Sequence, residues 1–355
     1  MLDIVFRVLA FTAGFFLIVY TVLAAIRSFV LPRNEVVLLN NWVFSGFRFL
    51  FEQWARFKPT YTRRDKVMAL YAPVSLVALP IVWLGVIATG FTMIYWALHE
   101  GTWLESYQLS GSSLLTLGTH KTRGPIITIF TFAEATMGLL LLTLLISYLP
   151  TMYQAFSRRE LTVARLELRT SPNHSATDLV QWLNRAGSLQ DDGSQWQDWE
   201  QWFVEIEETH TSLPILSFFR SPQPGRSWVT AAGTLLDAAA LISSAVNQPR
   251  NEHMLICFKA GCVAVNRVSR FFQDRAQSKL APQSQQDESP IKNPDRQNFM
   301  DACAQLQESG VELHPDLEAA WETYHRLRSR YTDALEFLAR LTMSPDQKTI
   351  GKEEK

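Results

Sequence analysis

The residues of this chain best placed to do chemistry sit in one short uncharged run, Ser106–Thr119, reading SYQLSGSSLLTLGT. It closes on Thr116, Leu117, Gly118 and Thr119. What these four offer is oxygen. Glycine adopts positive φ at no steric cost, so successive carbonyls around Gly118 can aim at one axis, and the threonine hydroxyls add further acceptors. A ring of such oxygens can replace the water around a small cation. Elsewhere the sequence offers little chemistry. The seven histidines show no ligand spacing, and Cys257 and Cys262, five apart, have no histidine pair beside them to complete a zinc site. There is no glycine-rich phosphate loop, nucleophile elbow or helical His-Glu-x-x-His. The expectation is a protein that is not an enzyme and carries no metal or cofactor.

The run is flanked by segments that cannot be soluble elements. Val67–Leu98 carries no charge at all, and Ala135–Ser157 is likewise free of Asp, Glu, Lys and Arg. Near the N-terminus Val8–Ile26 is uncharged, and at 1.5 Å per residue it rises about 28 Å, close to the hydrocarbon thickness of a bilayer. It lacks the basic start of a signal peptide and exceeds the usual apolar core of one. Three transmembrane helices are therefore predicted, Leu2–Leu31, Val67–Leu98 and Pro125–Phe156, with Pro32 ending the first. Pro73, Pro80, Gly85 and Gly90 make a kink in the second plausible.

Charge sets the orientation. The connection 33–66 holds Arg33, Arg48, Arg56, Lys58, Arg63, Arg64 and Lys66, and the third span is followed by Arg158, Arg159 and Arg165. By the positive-inside tendency both are cytoplasmic, which puts the N-terminus outside, brings 99–124 in from the outer face and leaves the C-terminal region cytoplasmic. Within the connection, apolar residues at 43, 47, 50, 51 and 54 recur at helical spacing among Trp42, Phe49 and Trp54. They predict an amphipathic helix, either in the lipid interface or packed on the cytoplasmic domain.

A re-entrant hairpin needs a helix that goes half way and an extended return. Trp103–Thr116 rises about 21 Å and 116–119 can return. The alternative is an exposed extracytoplasmic loop with no pore. Glu134 is the single acid of the third span; it either lines a cavity or sits behind the short helix and accepts hydrogen bonds from Ser110, Ser112 or Ser113. Gly138 is a gating hinge of the third span or a point of close packing, and Pro150 predicts a kink or helix end and is the second candidate for a gating hinge.

Beyond residue 157 the chain reads as soluble and all-α. Helices are predicted over 178–186, with Thr177 as N-cap, 196–208, 227–246 and 252–273. Asp237 at the centre of 227–246 costs roughly 2.5–3.5 kcal/mol in a membrane, so a buried core helix is favoured over a fourth span. Residues 276–296 are Gln-, Ser- and Pro-rich and predict a disordered linker. One long helix is predicted after Pro315. Its seven-residue spacing (Leu317, Tyr324, Tyr331, Leu338) permits a coiled coil between subunits, while Trp321 and Leu335 widen the stripe toward packing within one domain. Three cysteines without paired spacing fit a reducing compartment, and a net charge of −1 gives no electrostatic case for nucleic acid.

SSLLTLGT followed by an apolar helix resembles the pore helix and filter of two-transmembrane potassium channels. LLISYLPTMYQAFSRRE resembles the inner-helix end of bacterial pore-loop channels of that superfamily, and the likeness covers about residues 68–160. The segments ETHTSLPILSFFRSP and RSWVTAAGTLLDAAAL resemble the cytoplasmic region of uncharacterised bacterial proteins of that type. Thr116, Leu117, Gly118 and Thr119 match the first four positions of the family's Thr-Val-Gly-Tyr-Gly. Thr119 stands for the tyrosine, and His120 and Lys121 stand for the second glycine and the acid after it.

The resemblance implies an all-α membrane protein with a re-entrant pore helix and filter between the second and third spans, plus a cytoplasmic all-α domain. The spans, charges and composition read above divide the chain into a first transmembrane helix (1–32), a cytoplasmic amphipathic connection (33–66), a pore domain (67–157), a helical domain (158–275), a linker (276–296), C-terminal helices (297–343) and a tail (344–355). The channel reading further implies a homotetramer in the cell membrane, in contact with lipids, with a monovalent cation such as K⁺ as permeant ion. With the second glycine and the aromatic ring gone, a non-conducting scaffold or sensor is the competing expectation.

Overall fold

The computed structural model describes residues 2–29, 38–57, 61–99, 101–120, 124–170, 175–189, 193–223, 225–275 and 296–344. Pro32, Lys121, nearly all of the 276–296 linker and residues 345–355 of the tail lie outside them. The described residues form thirteen α-helices and no strand: α1 (Leu2–Phe29), α2 (Leu38–Arg56), α3 (Tyr61–Ala69), α4 (Tyr71–Ala97), α5 (Trp103–Leu114), α6 (Pro125–Glu167), α7 (Ala176–Arg185), α8 (Ser194–Ser212), α9 (Trp228–Ala245), α10 (Glu252–Arg275), α11 (Arg296–Glu308), α12 (Leu317–Arg328) and α13 (Thr332–Thr342). A 3-10 turn over Pro214–Phe218 follows α8.

Two compact units result. The first comprises Met1–Trp54 and Leu70–Tyr153, the second Ala55–Ala69 and Gln154–Lys355. In the first, α1 and α5 pack on α4. The α1–α4 crossing is close because both helices present glycine there. A Cβ on Gly14 would stand 2.5 Å from the Gly90 carbonyl oxygen, and one on Gly90 would stand 2.7 Å from Cγ1 of Ile18. Small residues let membrane helices approach in this way when no hydrophobic drive joins them. Trp83, Ile87, Ile94 and Tyr95 of α4 form the buried centre, with Leu109 and Leu114 of α5 and Ile127 and Leu141 of α6.

Among the described residues four helices are long and apolar enough to cross a membrane, and burial separates them. Only 28% of the α1 window, 44% of the window over 63–97 and 22% of the α6 window is buried within the chain, against 94% for α9. Phe16, Ile129, Phe132 and Ile146 are among the large side chains left outward on α1 and α6. An apolar exterior of this extent belongs in lipid, and the chain is a membrane-embedded protein.

Helix α9 instead runs through the second unit, enclosed by α7, α10, α12 and α13. Its buried Asp237 is paired with Nε of Arg328 at 3.0 Å and accepts the Tyr331 hydroxyl at 2.5 Å. Burial raises the Asp237 carboxyl pKa, and Arg328 and Tyr331 pull it back down. The partners are what make a central aspartate tolerable.

Several expectations need correction. Pro150 does not end or break its helix, because α6 continues to Glu167, 43 residues and about 65 Å in all. A proline in an apolar helix forfeits one backbone donor without stopping the rest of the ladder. The single helix after Pro315 is two, α12 and α13, with Tyr331 capping the second. Tyr324, Tyr331, Leu335 and Leu338 are buried in the core of their own unit. The seven-residue spacing arises because both helices turn the same kind of face inward, and it leaves no seam for a coiled coil. The N-cap of α7 is Ser175, not Thr177.

Candidate functional site

Helix α5 is short and closed at both ends. Thr102 and Glu105 form a capping box, the Glu105 N–H donating to Thr102 Oγ1 at 3.3 Å and the Thr102 N–H to Glu105 Oε2 at 2.7 Å. The C-terminal end turns in the six-to-one manner that usually takes glycine: Leu117 N–H donates to the Ser112 carbonyl at 2.8 Å and Thr116 N–H to that of Ser113 at 3.0 Å. The residue in the left-handed position is Thr116, φ +54°. A β-branched residue there costs about 1–3 kcal/mol, and strain of that kind gathers at functional sites. Gly118 is also left-handed, φ +66°, with open space where a Cβ would be.

The chain then folds back on α5. Thr119 N–H donates to Ser112 Oγ at 2.9 Å, and the Thr119 hydroxyl lies 3.0 Å from the same atom. Ser112 thus ties down both Leu117 and Thr119. Ser113 spends its hydroxyl on the Leu109 carbonyl of its own helix. The tip itself, 115–120, is exposed, with Leu115 and Leu117 pointing outward.

Two contacts fix α5 against its neighbours. Glu134 of α6 is fully buried and accepts from the Ser110 hydroxyl at 2.5 Å and the Tyr95 hydroxyl at 2.7 Å. Three helices, α4, α5 and α6, therefore meet at one carboxylate, which stands behind α5 and not in open space. Gly138 is the second contact. A Cβ there would lie 2.2 Å from the Leu114 carbonyl oxygen, so α6 reaches the C-terminal end of α5 only because residue 138 has no side chain. Gly138 is a packing contact in this structure. Pro150 lies about 18 Å further along α6 and shares no site with it.

Tyr95 is the member of the site that the sequence did not offer. It reads as one more ring in an apolar span, and only the fold brings its hydroxyl to Glu134.

The described residues thus define an all-helical membrane-embedded protein with a short helix and a strained, glycine-containing return held between two long apolar helices. Compared with known proteins, the chain matches no family model, no curated protein and no solved structure.

Proposed function

We propose that this chain is one subunit of a homotetrameric pore-loop cation channel of the cell membrane, in which the 116–119 backbone forms the ion pathway. The observation that supports it best is the end of α5: a capped twelve-residue helix whose C-terminus leads into left-handed Thr116 and Gly118, braced by Ser112 and by the Glu134 carboxylate. Non-helical backbone beside apolar spans needs either protein around it or an aqueous path, and the tip is exposed within one subunit. One hairpin per chain is a quarter of a ring, so a pathway requires four copies about one axis. The permeant ion is a monovalent cation, K⁺ by the resemblance, and the cytoplasmic unit assembles or regulates the pore.

Thr119-His120-Lys121 favours a second reading, a scaffold or sensor that kept the architecture and lost conduction. Ion flux through liposomes holding the purified protein separates the two. Potassium or sodium flux that Gly118→Pro abolishes is the expected result. Flux unchanged by that substitution removes 116–119 from the pathway, and no flux under any condition favours the scaffold.

A further inference from the structure

The second unit contains a small pocket, open to solvent, between the segment 217–221, the start of α9 and the end of α13. Its lining includes Ser217, Ser221, Arg220, Arg226 and Ser227. The polar groups are of two kinds. Some are fully engaged. Arg220 pairs with Asp65 and donates to the carbonyls of Thr342, at 2.7 Å, and Met343, at 3.2 Å. Ser227 caps α9 by accepting the Val229 N–H at 3.2 Å, and its hydroxyl meets that of Ser344 at 2.8 Å.

The others are buried without a partner. Ser217 is 1% exposed and Ser221 7% exposed, and neither hydroxyl has a hydrogen-bond partner. Nε of Arg226 is likewise buried and unpaired, although its NH2 group is paired with Glu167. Buried polar groups are ordinarily satisfied, so three orphans lining one pocket call for an acceptor that comes from outside.

Three donors beside the N-terminal end of an eighteen-residue helix specify the charge of that acceptor. The first turn of a helix presents unpaired N–H groups and a partial positive charge. We propose that this pocket is a binding site for a small oxyanion of the phosphate class, with Ser217, Ser221 and Arg226 as its side-chain donors and the start of α9 as its backbone donor.

The site has a direct connection to α6. The wall 216–219 is held by Arg159, whose NH1 donates to the Leu216 carbonyl at 2.9 Å and NH2 to the Phe219 carbonyl at 2.7 Å. Phe156 packs on Phe219 with ring centroids 5.5 Å apart. An anion that orders 217–221 therefore orders the segment that clasps the cytoplasmic end of α6. The inference does not depend on whether the protein conducts.

The test uses the full-length protein in detergent and inorganic phosphate as probe, with chloride at equal ionic strength as control. Saturable phosphate binding is expected, weakened at least about tenfold in the Ser217→Ala, Ser221→Ala double variant. Slower backbone hydrogen exchange over 215–221 on adding phosphate, in the parent and not in the variant, is the matching structural result. The variant folds normally on this view, because neither hydroxyl has a protein partner to lose. A second arm replaces phosphate with nanodiscs of phosphatidic acid or phosphatidylcholine. Protection of 215–221 by the former alone, without response to free phosphate, assigns the anion to a lipid headgroup. No saturable response to either phosphate source means that the pocket holds only water and overturns the site, as does binding unchanged in the double variant.

Discussion

The side chains that decide this protein's behaviour are buried polar groups whose partners lie far away in sequence. Glu134 is the clearest. Its carboxylate is the shared acceptor of Tyr95 and Ser110, so Glu134→Ala takes that acceptor from two buried hydroxyls, of which Ser110 still reaches the Ala88 carbonyl at 3.0 Å, at a cost of about 1–3 kcal/mol, whereas Tyr95→Phe removes only one donor. Thermal unfolding of the purified protein should rank the parent above Tyr95→Phe and Tyr95→Phe above Glu134→Ala; equal midpoints for all three would contradict the bracing role. His210 makes a pH prediction. It is fully buried, its Nδ1 lies 3.0 Å from the Ile206 carbonyl and its Nε2 lies 3.3 Å from NH1 of Arg159. Nδ1 is then the donor and Nε2 the acceptor, which requires a neutral ring. Burial and the adjacent Arg159 hold its pKa well below the ordinary histidine range, with the Ile206 hydrogen bond opposing. A folded-state pKa below the unfolded one means that the unfolded chain takes up the extra proton. Stability is therefore whole above about pH 6.5 and falls by up to about 1.4 kcal/mol per pH unit below it. His210→Gln should flatten that slope in unfolding midpoints measured between about pH 5 and pH 8.

Among the helices, the decisive relation is how α6 meets α5. Gly138→Ala places a methyl group on the Leu114 carbonyl, a clash with backbone that no rotamer can relieve. The expected cost is about 1–3 kcal/mol, the usual range for overpacking, together with displacement of the α5 C-terminus and loss of whatever 116–119 does. A cysteine at Leu117 should become labelled at a different rate in the Gly138→Ala background; an unchanged rate and an unchanged melting midpoint would sink the contact. The long apolar helices were legible in the sequence, because apolar length and 3.6-residue spacing are local properties, whereas the short charged α3 was not. α5 was legible from the uncharged run that begins at Ser106 and from its length, and α9 from the cost of Asp237 in lipid. Helix ends were less so. Pro150 reads as a kink or a helix end, yet no end occurs there, because one missing N–H does not outweigh the rest of a 43-residue ladder. The break at Ser329–Tyr331 has no Gly or Pro to announce it, and Tyr331 turns inward to Asp237 instead. Tyr95, Arg328 and the orphaned serines were illegible for one reason: a buried polar residue announces that it needs a partner, and the sequence does not say which.

At the scale of the whole molecule the open question is how often the chain crosses the membrane. Length and hydropathy admit four spans among the described residues, but α9 has 94% of its window inside the second unit and offers lipid almost no surface. Pulling α9 into the bilayer would also separate Asp237 from Arg328 and leave each charge unpaired, a loss of about 3–5 kcal/mol for a buried pair. Topology mapping with single cysteines decides the matter. Three spans put Gly118 on one face and Gly187, Gln248 and Ser344 together on the other. Four spans put Gly187 and Gln248 on opposite faces. The native Cys257, Cys262 and Cys303 are buried free thiols. Burial pushes Cys262 and Cys303 up to about 11 and raises Cys257 as well. At neutral pH they stay protonated and slow to react, so the introduced residues report without a cysteine-free background. In the orientation of the proposed channel, an impermeant maleimide applied to intact cells should label position 118 alone, and labelling at 187, 248 and 344 should appear together only once the membrane is opened. Separation of 187 from 248 in that experiment would make α9 a span and dissolve the second unit as described.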